Sequence, residues 1–272
     1  MNSFHEILEQ APARRLLLAP AAGDPVLPET LASELRQRGH TLTFLESSPE
    51  SAVKEACQML RAGEVDLLLQ GDLPLERFLE LLAAEDFLEP HPCFVSLFQD
   101  RVRDRLLLVA DTYYQDFPDL EQKIACLRQV IALAGRLGIK KPKAAVLSAI
   151  ETINPAIPST VDAAVLAMMS QRGQFAALVD GPLSIDSLVD QAAAQIKGVH
   201  SPVPGDFDII LCPDIETGYT LSQAFTCIGG FPTAGVLLGT AYPVVIHPRL
   251  IPPDYKAVEV AVQALRGGDS RG

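Results

Sequence analysis

No stretch of apolar residues in this chain approaches the ~20 in succession that a helix needs to cross a bilayer. They come instead in short runs such as LLLAP, VDLLLQG, AAVLSAI and DIILCPD, so no membrane span is expected. The opening residues, MNSFHEILEQAPARR, lack the basic start, apolar stretch and small-residue cleavage site of an export signal, which predicts a cytoplasmic protein. An excess of positive charge is also missing: 22 Lys and Arg stand against 34 Asp and Glu, a formal net charge of -12. Nucleic-acid binding draws on surplus Lys and Arg to displace counterions, so no nucleic-acid partner is expected. A small anion needs only a local cluster of donors and stays open as a ligand. The five cysteines (Cys57, Cys93, Cys126, Cys212, Cys227) fall in apolar contexts, with no CxxC pair and no histidine at metal-ligand spacing. They read as buried thiols, and no metal site is expected. There is also no GxGxxG after a strand, no GxxxxGK[ST], no GxSxG and no HExxH. Dinucleotide, P-loop and elbow-serine enzymes are disfavoured accordingly.

What is present is a chain of 272 residues, 48% hydrophobic, long enough for one large domain or two smaller ones. Strand-like runs alternate with amphipathic helical segments, the pattern of βαβ units and a mostly parallel sheet. Arg15 to Pro20 leads to a helix over Glu29 to Arg38, and Thr41 to Glu46 to one over Ser51 to Ala62, with Val65 to Gln70 the next strand. CFVSLF and RLLLVAD flank a connection too short for a crossover, which predicts an antiparallel hairpin. The longest helix candidate, Leu120 to Leu137, closes at Gly138 before KKPK. A second series follows: strand Ala144 to Ala149, helix Thr160 to Gln171, strand Ala176 to Val179, helix Ser184 to Lys197, strand Asp208 to Cys212 and helix Thr217 to Phe225. LLGTAYPVVIHP holds two strands around Pro243, and Tyr255 to Leu265 is the last helix.

Ligands of open α/β sheets bind beyond the carboxyl ends of strands, so the turns there are the first places to search. ETINPAIPSTVDAA puts Ser159 and Thr160 at a helix start, where they either cap it or stand beside free N–H groups that receive an anion. VDGPLSID offers Asp180, Ser184 and Asp186 beside Gly181, either for a ligand that approaches the backbone or as an ordinary capped turn. CPDIETGYT supplies Asp214, Glu216 and Gly218; its carboxylates either polarise a proton or favour a helix start. In VVIHPRL, Arg249 ends an apolar strand, where a guanidinium suits bidentate contact with phosphate or is simply a surface arginine.

Taken together, these turns resemble the phosphate acetyl/butyryltransferase family, most closely its phosphate butyryltransferase branch. The carrying blocks are PDLEQK (Pro118 to Lys123), LGIKKPKAAVLSAIETINPAIPSTVDAA (Leu137 to Ala164), RGQFAALVDGPLSID (Arg172 to Asp186), KGVHSPVPGDFDIILCPDIETG (Lys197 to Gly218) and VLLGTAYPVVIHPR (Val236 to Arg249). Weaker agreement extends to GEVDLLLQG and VADT. The resemblance implies a two-domain α/β/α fold of the isocitrate/isopropylmalate dehydrogenase-like type, with an interdomain cleft and usually a homodimer. Residues 1-143 plus 237-272 would form the first domain and 144-236 the inserted one. The implied reaction moves a short or branched acyl group between coenzyme A and inorganic phosphate, with acyl-CoA and phosphate as substrates and no cofactor. Arg249 would bind phosphate, Ser159 and Thr160 match the anion-facing helix start, and Asp186 and Asp214 match acidic positions near the cleft.

The chain departs from the family pattern at five polar positions, which carry Gln70, Leu97, Tyr219, Gln223 and Pro248. Pro248 stands where a serine would donate to the reacting group, and losing one such donor typically costs about 10²–10³ in turnover. His247 faces the same way as Arg249 along VVIHPR and either supplies a proton donor or is a structural histidine. Two readings therefore remain beside each other: a working acyltransferase, or a catalytically silent paralogue that binds CoA or acyl phosphate as sensor or partner subunit. A dehydrogenase is the weaker third, for want of a nicotinamide fingerprint.

Overall fold

A computed structural model describes Ile7 and residues 14–18, 29–45, 47–70, 73–246 and 255–265. The described residues fall into two compact units: an inserted unit, Cys93–Phe231, and a discontinuous one made of those up to Pro92 and from Pro232 on. The chain crosses between the two units at 92/93 and 231/232, where the sequence reading puts the bounds at 143/144 and 236/237.

In the discontinuous unit the elements are β1 (Arg15–Leu18), α1 (Glu29–Gln37), β2 (Thr41–Phe44), α2 (Pro49–Ala62), β3 (Leu67–Leu69) and α3 (Leu75–Ala84). After the crossings come β9 (Thr233–Thr240), β10 (Val244–Ile246) and α9 (Tyr255–Ala264). The strand order is β2-β1-β3-β10-β9, parallel except for the β9–β10 hairpin around Pro243. The all-apolar runs follow from this: Leu67–Leu69 and Val244–Ile246 are buried along their whole length, as parallel strands covered on both faces require. Local chemistry sets the helix ends, with Ser48 accepting from the N–H of Ser51 at the start of α2 and Gly63 closing it at φ 71°. A buried polar link ties α9 to the α1–β2 turn. His40 Nδ1 accepts from the Arg14 N–H at 2.9 Å, which leaves Nε2–H to donate to Glu259 at 2.6 Å.

The inserted unit contains most of β4 (Leu88–Asp100), then β5 (Arg105–Ala110), α4 (Leu120–Arg136), β6 (Lys143–Leu147), α5 (Pro158–Gln171), β7 (Leu178–Leu183), α6 (Ile185–Val189), α7 (Gln191–Ile196), β8 (Ile209–Leu211) and α8 (Ile215–Gln223). A π-helical turn, Ala224–Ile228, follows. The order is β4-β5-β8-β6-β7, with β4 antiparallel to β5, as the hairpin reading expects, and the rest parallel. Asp119 and Gln122 form a reciprocal capping box at the start of α4. Phe98, Leu107, Leu147, Leu183, Leu188, Phe207 and Ile210 are among the residues of its core.

Three local expectations change. β7 runs through Asp180-Gly181-Pro182 instead of turning there. The expected helix over Ser184 to Lys197 is two helices, because Asp190 is extended (φ -126°, ψ 112°) and its carboxylate caps Ala192. Cys227 is exposed on the π turn, whereas the other four thiols are buried as expected. Among the described residues no helix is long and apolar enough to cross a membrane, and no three His, Cys, Asp or Glu side chains converge as metal ligands.

Candidate active site

The pairing register lines up four strand ends. Ala110 of β5 pairs with Leu211 of β8, Leu211 with Val146 of β6, and Leu147 with Leu183 of β7. The turns that begin at Asp111, Cys212, Ser148 and Ser184 therefore lie side by side on the carboxyl edge of the inserted unit, the edge where parallel sheets bind ligands.

At the β6 end, the hydroxyl of Ser148 lies 2.8 Å from that of Ser159, which is half-buried in the first turn of α5. Neither Ser159 nor Thr160 caps that helix: the N-cap is Ile157, which has no side-chain bond, and Pro158 opens the first turn. Thr160 does not face an anion. It is fully buried, its hydroxyl accepts from Asn154 N–H at 2.9 Å and lies 2.8 Å from the Ile157 carbonyl, and it ties the loop that feeds the helix. Gly181 also has a packing role: a Cβ there would lie 2.7 Å from the Val146 carbonyl oxygen and 3.3 Å from Ala163 Cβ. Its lack of a side chain admits β6 and α5, not a ligand.

Asp186 is exposed and engaged, with Lys197 Nζ 2.8 Å and Ser184 Oγ 2.5 Å from its carboxylate. Hydrogen bonds from Lys197 and then Ser184 hold its carboxyl far below the usual range. Lys197 also donates to Glu151 at 3.0 Å, and Ser184 and Ser187 both bond the same carboxylate oxygen. Burial alone would push Glu151 up, but the two hydroxyls and Lys197 outweigh it and hold the carboxyl at about 2. One cation thus serves two carboxylates, so Lys197 is already engaged at this corner.

At the β8 end, Asp214 is the N-cap of α8 and accepts from Thr217 N–H at 2.8 Å, so the capping reading holds for this carboxylate. Glu216 is exposed in the first turn. Gly218 is buried, and a Cβ on it would come within 2.0 Å of the Asp111 carbonyl oxygen. That close approach, not a ligand, is what requires glycine.

The residue so contacted was missed as a site candidate although it lies in the VADT block. Asp111 is buried directly after β5. Its carboxylate accepts from the N–H groups of Phe94 (3.0 Å), Tyr113 (2.7 Å) and Tyr114 (2.8 Å). Burial pushes its pKa up to about 6 against the pull of those backbone donors. A buried hydroxyl chain lies beside it, with Ser96 Oγ 2.9 Å from Thr112 and 3.3 Å from Ser222. Glu151 and Lys197 were missed as well; the available signal was a charged residue opening the ETIN turn and another opening the KGVH block.

Of the departures from the family pattern, Leu97 is buried in β4 and Gln70 donates to the Leu73 carbonyl at 2.9 Å in the discontinuous unit. Tyr219 and Gln223 both contact Tyr113. His247, Pro248 and Arg249 lie outside the described residues.

Two units of mostly parallel sheet, one inserted in the other, define the dehydrogenase-like α/β class. A β-decarboxylating dehydrogenase from Thermococcus kodakarensis superposes with a TM-score of 0.52 at 15% identity, over 86% of this chain and 74% of that one. A branched-chain phosphotransacylase from Enterococcus faecalis superposes with a TM-score of 0.79 at 23% identity, over 93% of this chain and 99% of the other. In sequence, the phosphate butyryltransferase of Clostridium acetobutylicum is 35% identical over 228 residues, 82% of this chain and 76% of its own length. Residues 26–251 match the family model of phosphate acetyl/butaryl transferase, and the chain belongs to that family.

Proposed function

We propose that the protein transfers a short or branched acyl group between coenzyme A and inorganic phosphate. In the forward direction a phosphate oxygen attacks the thioester carbonyl, the C–S bond breaks, and the departing thiolate takes a proton to give free CoA and acyl phosphate. The observation that carries this is the match to the family over 26–251, a span that includes all four turns of the carboxyl edge. What the chain must supply is an anion site, stabilisation of the oxyanion and management of the thiol proton. Arg249 is assigned the phosphate. Ser159 contributes a hydroxyl at the first turn of α5, and Asp214 at the N-cap and Glu216 in the first turn of α8 place carboxylates there. His247 is assigned the thiol proton in place of the serine that Pro248 replaces, since imidazole exchanges protons near neutral pH. The reading needs no metal or cofactor besides the substrates, and it places the protein in the cytoplasm. A homodimer is part of the same reading. In its support, α5 exposes Val161, Val165 and Met168 at helical spacing on the side opposite its buried Ala163, Leu166 and Ala167.

The test is release of CoA thiol from acetyl-, propionyl- and butyryl-CoA in the presence of phosphate. Turnover with at least one is expected, and silence with all three despite CoA binding would rule the reading out. Arg249→Ala is expected to lower kcat/KM about 10²-fold, a magnitude typical for removing one charge-stabilising donor, while the circular dichroism spectrum is retained. Unchanged kinetics in that variant would take the phosphate away from Arg249.

A further inference from the structure

Three of the chain's five tyrosines, Tyr113, Tyr114 and Tyr219, lie at the β5 and β8 ends of the carboxyl edge, and Tyr113 and Tyr219 are packed together there. Tyr113 is fixed at three points. Asp111 takes its backbone N–H at 2.7 Å, Phe94 packs on its ring with centroids 5.0 Å apart, and its hydroxyl accepts from Gln223 Nε2 at 3.0 Å. Tyr219 meets that ring edge to face, with centroids 4.9 Å apart at 88°, and remains 40% exposed. On the same loop, Phe117 is 77% exposed. Large aromatic surface left uncovered beside strand ends, and made rigid from behind, costs solvation without returning core packing, which is the signature of a contact surface for a ligand.

We propose that Tyr113 and Tyr219 form an aromatic wall that contacts the flat or apolar portion of an acyl-CoA. Burial, and then the neighbouring Tyr219, push the Tyr113 phenol well above its ordinary range, so Tyr113 presents a neutral ring. It also explains two departures at once. Tyr219 supplies the ring and Gln223 holds the hydroxyl of its partner, so the two replacements are one concerted change from a polar to an aromatic surface. An acyl chain and the adenine base share the chemistry this wall recognises, namely a planar or apolar face that stacks on a ring or packs against it.

The inference rests on the acyltransferase reading, and the experiment separates the two. Tyr219→Ala and Tyr219→Phe are compared with the unaltered protein on acetyl-, butyryl- and phenylacetyl-CoA and on the matching acyl-pantetheines, which lack adenine. For an acyl contact, the loss of kcat/KM in Tyr219→Ala grows along the acyl series to about tenfold, the worth of one good aromatic contact, and persists on the pantetheines. For an adenine contact, the loss is uniform over the three CoA esters and disappears on the pantetheines. In both cases Tyr219→Phe loses less than Tyr219→Ala. No loss, or one equal loss on all six compounds, overturns the wall. If the unaltered protein turns over none of them, the acyltransferase reading fails alone, and calorimetry with phenylacetyl-CoA decides the wall: weaker binding by Tyr219→Ala supports it, while equal or absent binding overturns it.

Discussion

Asp111, just past β5, and Glu151, just past β6, stand on the same edge of the same unit and are held in opposite ways. Asp111 is buried, answered by backbone N–H groups, and burial wins, so its pKa rises to about 6. Glu151 is half-buried and meets two hydroxyls and a lysine, and those partners win, so its pKa falls to about 2. The contrast shows that a carboxylate at a strand end can be a fixture of the backbone or a member of a solvated charge mesh. Which one it is depends on what packs against it. Gly218 lets α8 approach the Asp111 turn to contact, whereas Glu151 is met by Lys197, which reaches over from the end of α7.

Gly218→Ala should break the buried side outright. A methyl 2.0 Å from a backbone carbonyl oxygen cannot be absorbed by a rotamer change, so α8 or the Asp111 turn must move. The expected cost is at or above the upper end of overpacking penalties, about 3 kcal/mol, read as a fall in the urea midpoint with an unchanged m-value. A midpoint equal to that of the unaltered protein would show that the approach is loose in solution.

Asp111→Ala follows in size. It strands the N–H groups of Phe94, Tyr113 and Tyr114, each worth about 1–3 kcal/mol if left without a partner, with water repairing part of the damage. A net loss of about 2–3 kcal/mol is expected. Its pH dependence carries a sign. The folded pKa, about 6, lies above the unfolded one, so the protonated carboxyl's contribution is complete below about pH 4 and fades as pH rises through 6. The gap between variant and unaltered protein should therefore narrow from pH 4 to pH 8, and a widening gap would contradict the burial of this group.

The sequence made the architecture legible wherever one element carried its own signal. The β4–β5 hairpin follows from a short polar connection between two apolar runs, and α4 from a long helical run closed by Gly138. The crossing at 92/93 was hidden because β4 continues through Pro90, His91 and Pro92, residues that punctuate a sequence, with His91 at φ 57°. Gly181 and Gly218 were legible as glycines beside strand ends but not in purpose, since a ligand and a neighbouring chain both demand a missing Cβ. Only the approach of Val146 and of Asp111 tells them apart. Asp111 itself was invisible because its partners are backbone amides, which leave no mark in sequence. Lys197, 46 residues from Glu151, belongs to a contact that no local pattern encodes.

Lys197→Met sharpens the comparison from the solvated side and should have the smallest effect on stability. Its ammonium is exposed, and water and salt take over much of what it does for Glu151 and Asp186, so the urea midpoint is expected to stay nearly unchanged. The titration is what should move. Glu151 loses one of the three donors that hold it at about 2 and gains an unshielded neighbour in Asp186, so its pKa rises toward the ordinary value near 4.3. In the unaltered protein the folded pKa lies below the unfolded one, so Glu151 contributes stability above about pH 4 that is lost as pH falls toward 2. In the variant that acid-side loss begins from a smaller contribution and spans a narrower window. Side-chain carboxyl NMR, followed from pH 6 down to pH 2, reads both. A Glu151 resonance that still titrates near 2 without Lys197 would mean that Ser184 and Ser187 hold the charge by themselves, and that this corner is as much a fixture of the fold as Asp111.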